Sequence, residues 1–368
     1  MKDAIPIVSR LIAGIEKGVM TTLIKRRRTA ALWLAFLAML AASSAAAQIR
    51  KLPTIPDDSD RATLGTTGQA ASAHQASYTF LTIDPQGEGH CYADARGPDQ
   101  ARQVVVDWSD PDDCNLVHAS LWDGTDWTAL DFADPKCPDV GTYFTSLNSR
   151  GIAFGTYWSI SCNYEPAAGI NVKTGRSFAL PGVKDFPFNQ GISMSNDGLA
   201  VGVAWSGSAW TTVNEVKHWI WDGRKYLFPT FPADWDVSGF WAGPLAINDS
   251  GQIAGQYVDT KSDRLRGYFQ HGWNVTTFDA PGDPEFGTYV NAITDSGDLL
   301  LIGAYGENSP YYPYRNFSWR RGVFTTLPIV PFPEAVATFV HGLNDRGDFS
   351  GMWLDGSNLY HAFVAYRK

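Results

Sequence analysis

One short pattern of apolar and polar positions recurs along the chain. An apolar residue is followed by three polar turn residues and a glycine, then by an alternating apolar stretch that ends in a second glycine or an aromatic. It is clearest at Leu147-Asn148-Ser149-Arg150-Gly151, Ile247-Asn248-Asp249-Ser250-Gly251, Ile293-Thr294-Asp295-Ser296-Gly297 and Leu343-Asn344-Asp345-Arg346-Gly347. Weaker copies are Met194-Ser195-Asn196-Asp197-Gly198 and Ala93-Asp94-Ala95-Arg96-Gly97. The glycines at 97, 151, 198, 251, 297 and 347 are 54, 47, 53, 46 and 50 residues apart, and a period of this size is one propeller blade. An Asn or Asp side chain can bond its own backbone two residues on, and glycine accepts the positive φ of a tight hairpin.

Alternation with period two continues on both sides of each turn, which predicts four short strands per repeat and almost no helix. The last repeat stops after its third strand. A matching fourth segment, Tyr78-Thr79-Phe80-Leu81-Thr82-Ile83-Asp84-Pro85, stands alone at the start of the repeat region and parallels Val275-Thr276-Thr277-Phe278-Asp279-Ala280-Pro281. The predicted fold is therefore all-β: a six-bladed β-propeller of four-stranded blades over residues 78–368, closed by an N-terminal strand pairing with the C-terminal blade. Closure removes the sheet edges that an open solenoid would expose.

Ahead of the repeats, Lys25-Arg26-Arg27-Arg28 precede the apolar run Thr29 to Ala42, and Ala45-Ala46-Ala47 offers a small-residue cleavage site. Residues 1–47 read as a signal peptide, with Met20 a credible true start, and 48–77 as a flexible leader poor in aromatics. The run is too short and alanine-rich for a stable span, and no second one follows. Removing 1–47 takes seven basic and two acidic groups from a chain with 29 and 38, leaving a charge of −14. Such a surface repels phosphate backbones, which argues against nucleic acid. The expected setting is secreted or periplasmic, and the expected state a monomer.

The four cysteines suit two disulfides in an oxidising compartment. Cys114-Asn115 and Cys162-Asn163 are the same dipeptide in matching places of successive repeats. This predicts Cys91 with Cys114 and Cys137 with Cys162.

His361-Ala362-Phe363 is a complete His-Ala-Phe signature in a third strand, His118-Ala119-Ser120 is partial, and His218-Trp219-Ile220 keeps the histidine. With the N-x-x-G turns and the TTFDAPG segment, the chain resembles the bacterial extracellular HAF-repeat family from about Tyr78 to Lys368. The resemblance implies an exported repeat protein and supplies no catalytic residues. Blades containing Ala168-Gly169-Ile170 and Asn316-Phe317-Ser318 depart from the motif.

Strand order puts the N-x-x-G turns on one smooth face and the long insertions on the opposite, loop-rich face, where binding sites usually sit. Aromatics there, Trp158, Trp210, Trp235, Trp241, Tyr311 and Tyr312, suit stacking on a sugar or gripping a peptide; capping the blade interfaces is the structural alternative. Acidic clusters at Asp107, Asp110, Asp112, Asp113 and at Asp131, Asp134, Asp139 have the oxygen chemistry of calcium sites, but no EF-type spacing, so no cofactor is assigned. The histidines at 118, 218 and 361 share one repeat position and read as strand packing. His341, on an inner strand, stands outside that logic. No nucleophile elbow, phosphate loop or dinucleotide fingerprint occurs in a suitable context. The leading expectation is a non-enzymatic glycan- or protein-binding or scaffold module acting through the loop-rich face. The alternative is a carbohydrate-active hydrolase or lyase using acids at the central channel.

Overall fold

The computed structural model describes residues 62–63, 77–85, 90–110, 113–134, 136–137, 140–159, 161–208, 212–272, 274–281, 287–297, 300–304 and 315–368. The expected signal peptide lies outside them, as does most of the expected leader. Every regular element among the described residues is a strand.

The strands form a β-propeller whose sheets follow one another in chain order. The first sheet runs outward from Ala93–Arg96 through Val104–Asp110 and Asp113–Trp122 to Trp127–Ala129. The second is Val140–Leu147, Ile152–Ser159, Ala167–Asn171 and Arg176–Ala179, and the third Phe188–Met194, Ala200–Ser208, Thr212–Trp221 and Tyr226–Leu227. The fifth is Thr288–Ile293, Leu300–Ala304, Arg315–Arg320 and Val323–Thr326. The last is Ala335–Leu343, Phe349–Asp355 and Tyr360–Arg367, completed by Tyr78–Thr82.

These five sheets have the four strands expected; the fourth departs from it. Its strands Gly243–Ile247, Ile253–Asp259, Arg264–His271 and Asn274–Phe278 are joined by Trp235–Asp236 and by Ala62–Thr63, giving six. Ala62–Thr63 runs parallel to the outer strand, so part of the expected leader is itself a strand. Each inner strand packs beside the inner strands of both neighbouring sheets, the last beside the first.

The terminal pairing falls where the sequence places it. Tyr78–Thr82 is antiparallel to Tyr360–Arg367, with Phe80 opposite Ala365 and its ring 6.3 Å from that of Phe363. Asp84 adds a side-chain tie, accepting from Ala362 N at 2.8 Å and bonding His361 Nδ1 at 2.6 Å. The disulfides are Cys91–Cys114 and Cys137–Cys162, as the repeat logic predicts.

The apolar core is divided among the interfaces. Ala93, Ala95 and Val104 of the first sheet meet Ala362 and Val364 of the last; Phe154 and Ala167 of the second meet Ala200 and Trp219 of the third. Polar contacts between sheets come from side chains. Asn148 accepts from its own Arg150 N and Ile152 N through Oδ1, and its Nδ2 donates to Ser195 O of the next sheet. Asn344 likewise holds Arg346 N and Asp348 N and donates to Asp99 O across the closure. Asn248 holds Ser250 N and Gln252 N and donates to Thr294 O.

One repeat is out of register with the sequence reading. In the first sheet the turn position belongs to Asp99, whose Oδ1 accepts from Gln103 N, and the positive-φ residue that closes the turn is Arg102 at 66°; Gly97, at 108°, lies ahead of the turn. From Arg102 to Gly151 is 49 residues, closer to the other intervals than the 54 counted from Gly97.

Inner strands two to six each carry a β-bulge near the turn that leaves one residue unpaired: Thr145, Ile192, Leu245, Asn291 and His341; the sixth has a second irregularity at Val336. Each of the five stands six positions before the glycine of its turn. A bulge re-aims a side chain. The second glycine of the repeat makes room for it: a Cβ on Gly351 would lie 1.9 Å from Phe339 O, and one on Gly155 1.8 Å from Tyr143 O.

Three stability measurements test this account. Gly351→Ala, which must push the inner strand away, costs about 3 kcal/mol in urea unfolding; Asn248→Ala, which removes a buried side chain bonded to Ser250 N, Gln252 N and Thr294 O, costs about 2 kcal/mol. Glu165 is buried, and burial, opposed only by Thr156, pushes its carboxyl well above the ordinary value of 4.5. Stability from the protonated form is complete below 4.5 and is lost as pH rises through the higher folded value. Glu165→Gln is therefore more stable than wild type at pH 8, and the gap narrows below pH 4.5.

Candidate functional site

The inner strands converge on the turn face, where their ends border an open-mouthed cavity of about 80 Å³. Four bulge residues, Thr145, Ile192, Asn291 and His341, line it, and Asp295 and Asp345 stand at its rim. No lysine or arginine is among its lining residues.

The rim is a hydrogen-bonded hoop of turns. Asp295 Oδ2 accepts from Asn196 Nδ2 at 2.8 Å and from Ser149 Oγ at 3.1 Å, and so spans three sheets. Asn196 also donates to Asp249, and Asp249 accepts from Asp197 N. Asp345 accepts from Ser296 N at 3.0 Å and from Gln100 Nε2 at 3.1 Å. Burial raises the Asp295 carboxyl above its ordinary range, and the nearby Asp249 and Asp345 charges push the same way against the bonds from Asn196 and Ser149.

Below the rim lies a buried charged cluster. His341 Nδ1 is 2.9 Å from Asp94 Oδ1, and Arg96 Nη2 is 2.6 Å from Asp94 Oδ2. Tyr92 donates to the same carboxylate, and its hydroxyl meets that of Tyr143 at 2.8 Å. Arg96 stands six positions before Arg102, the place His341 holds before Gly347, so two neighbouring sheets present a cation-forming group at equivalent sites with Asp94 between them. Burial works against the Arg96 charge, but Asp94 together with Tyr143, Tyr92 and Asp107 outweighs it. Burial lowers the His341 imidazole below its ordinary value, opposed by Asp94 and reinforced by Arg96. In the neutral ring the carboxylate accepts a hydrogen bond from Nδ1–H, which leaves Nε2 as an acceptor.

The predicted aromatic surface is not assembled this way. Trp235 is buried, stacked on Tyr257 at a centroid distance of 3.8 Å and close to Tyr268. Its short strand beside Val258 and Asp259 carries the ring into the core, so it is no surface platform. Trp158 and Trp241 are half-buried; Trp158 lies edge-on to Tyr143. Trp210, Tyr311 and Tyr312 lie outside the described residues.

The acids suggested for calcium are engaged by protein groups where they are described. Asp107 is buried and accepts from Phe144 N at 2.8 Å; Asp131 holds Ala119 N and His118; Asp134 accepts from Tyr164 and Lys136 N. Asp112 and Asp139 lie outside the described residues, and nothing is described of the Asp110 and Asp113 side chains. Among the described residues no three His, Cys, Asp or Glu side chains gather as metal ligands.

The repeated histidines have a structural use. His118 pairs with Asp131 and His361 with Asp84, each Asp following an outer strand and also taking the next backbone N–H. Arg266 and Asp279 replace this pair in the fourth sheet. His218 bonds Val237 O, and burial pushes it down to about 4.

No family model and no curated protein matches the chain. Solved structures match at the level of fold. A gluconolactonase from Xanthomonas campestris is 11% identical, with a TM-score of 0.47, over 88% of this chain and 100% of that one. The β-propeller domain of the Trilobed protease from Pyrococcus furiosus is 11% identical, with a TM-score of 0.41, over 75% and 95%. The acylaminoacyl peptidase of Pyrococcus horikoshii is 10% identical, with a TM-score of 0.38, over 73% of this chain but 45% of that one, so the match spans under half the peptidase.

Removing the central carboxylate tests the cluster. Asp94→Asn leaves Arg96 buried without its anion and costs about 3 to 5 kcal/mol in denaturant unfolding, whereas Asp345→Asn at the exposed rim costs less than about 1 kcal/mol.

Proposed function

We propose that the protein is an exported binding module that takes a lysine, arginine or amino-terminal group of an extracytoplasmic protein into the mouth on its turn face. In this reading the ring is six-bladed, the fourth sheet being a blade of four strands with two accessory ones. The repeat resemblance and the two disulfides support an exported setting.

The observation that carries the reading is the chemistry of the cavity wall. Carboxylates at the rim and an imidazole acceptor below it face a space lined by no lysine or arginine. Asp249, Asp295 and Asp345 repel one another, and a bound cation would relieve that repulsion. The hoop of turns holds these acceptors in place before a ligand arrives, which limits the ordering cost of binding. A glycan contact on the loop-rich face would rest on Trp158 and Trp241; Trp235 is withdrawn from it by burial.

One observation favours a second reading, a hydrolase or lyase. A buried carboxylate orients an imidazole towards a cavity, as general bases are held. Polysaccharide turnover abolished by His341→Asn would support it.

Peptide binding separates these readings. Lysine- and arginine-bearing peptides bind the wild type with an affinity that falls as salt rises, and Asp295→Asn or Asp345→Asn each weaken it about fivefold, equivalent to about 1 kcal/mol. Retention of glycans but not of basic peptides, or indifference to both substitutions, would overturn the proposal.

A further inference from the structure

We propose that His341 is the group that takes the ligand's hydrogen-bond donor at the floor of the mouth, and that protonating it expels a cationic ligand. The inference rests on the binding reading above and adds its regulation.

Geometry carries the argument. The bulge between Val340 and Gly342 aims His341 into the cavity, and the equivalent bulges deliver Thr145, Ile192 and Asn291. Those residues share no chemistry, so the fold does not require an imidazole at this position. Asp94 is completely buried and holds Nδ1, which fixes one tautomer and turns the Nε2 lone pair to the ligand. A lysine ammonium or an arginine guanidinium can donate to that lone pair while the rim carboxylates face its charge.

Protonation reverses each of these terms. Nε2 becomes a donor, so the contact to an ammonium is lost. The new positive charge shares Asp94 with Arg96 and faces the ligand's own charge. The titratable and charged groups around the ring are Asp94 and Arg96 on the first inner strand, with Tyr92, Tyr143 and Asp107 beside them, and Asp295 and Asp345 above. Asp94 favours the protonated ring, while Arg96 and burial oppose it.

The experiment is calorimetric titration with trilysine from pH 8 to pH 5 at constant ionic strength. In the wild type, affinity falls with pH, approaching tenfold per unit once His341 takes up its proton. His341→Asn, which can still donate to Asp94, binds with an affinity that is flat over this range. Asp295→Asn binds more weakly throughout and keeps the wild-type slope, which separates the imidazole from the rim acid. Nitrogen-15 spectra of the wild type report the ring directly: a Nδ1–H tautomer whose Nε2 resonance moves on adding trilysine is the expected result. A Nε2–H tautomer, or an Nε2 resonance unmoved by bound trilysine, overturns the inference even if His341→Asn does not fold. An unchanged slope in a folded His341→Asn also overturns the inference but leaves the binding reading standing. No binding of trilysine at any pH removes both.

Discussion

Sheets that meet face to face share no extended backbone ladder, so backbone polar groups at their common boundary turn to side chains from the neighbour. This constraint organises the ring. Phe144 N is satisfied by Asp107 of the preceding sheet, Val290 N by Gln256 and Val340 N by Asn316. At the turns the same need falls on Asn148, Asn248 and Asn344, each of which ties its own hairpin with Oδ1 and reaches the next sheet with Nδ2. The N-x-x-G signature is therefore a joint between sheets as much as a turn. The sheets whose turns begin with Ser195, Thr294 and Asp99 receive those bonds, so donors and receivers alternate around the ring.

Much of the fold was legible because this joint leaves a mark in composition. Polar turn residues at a period near fifty give the repeat, and the unpaired Tyr78–Thr82 segment gives the closure. The cysteine pairing followed from the same equivalence between repeats. Two features escaped. The first turn hides because Asp99 and Arg102 do the work of Asn and Gly, and Gly97 nearby offers a false glycine. The fourth sheet gains Trp235–Asp236 and Ala62–Thr63, segments too short for any alternation to show.

The site was less legible than the fold, for a reason of register. An alternating strand predicts which side chains face a neighbouring sheet, but a bulge breaks the alternation by one residue and sends that residue to the axis. Thr145, Ile192, Asn291 and His341 share no residue type, so no composition signal marks them; their common offset of six from the turn does. The loop aromatics carried a stronger signal and a weaker inference. Trp235 shows why: a large ring in a long insertion meets apolar partners, Tyr257 and Tyr268, before it meets solvent.

Lys368 N donates to Ser77 O, just beyond the pairing of Tyr78–Thr82 with Tyr360–Arg367. The earliest and latest stretches of the ring to leave the ribosome are thus bonded side by side. Whatever folds beforehand, the circle can be sealed only when synthesis of this region is over.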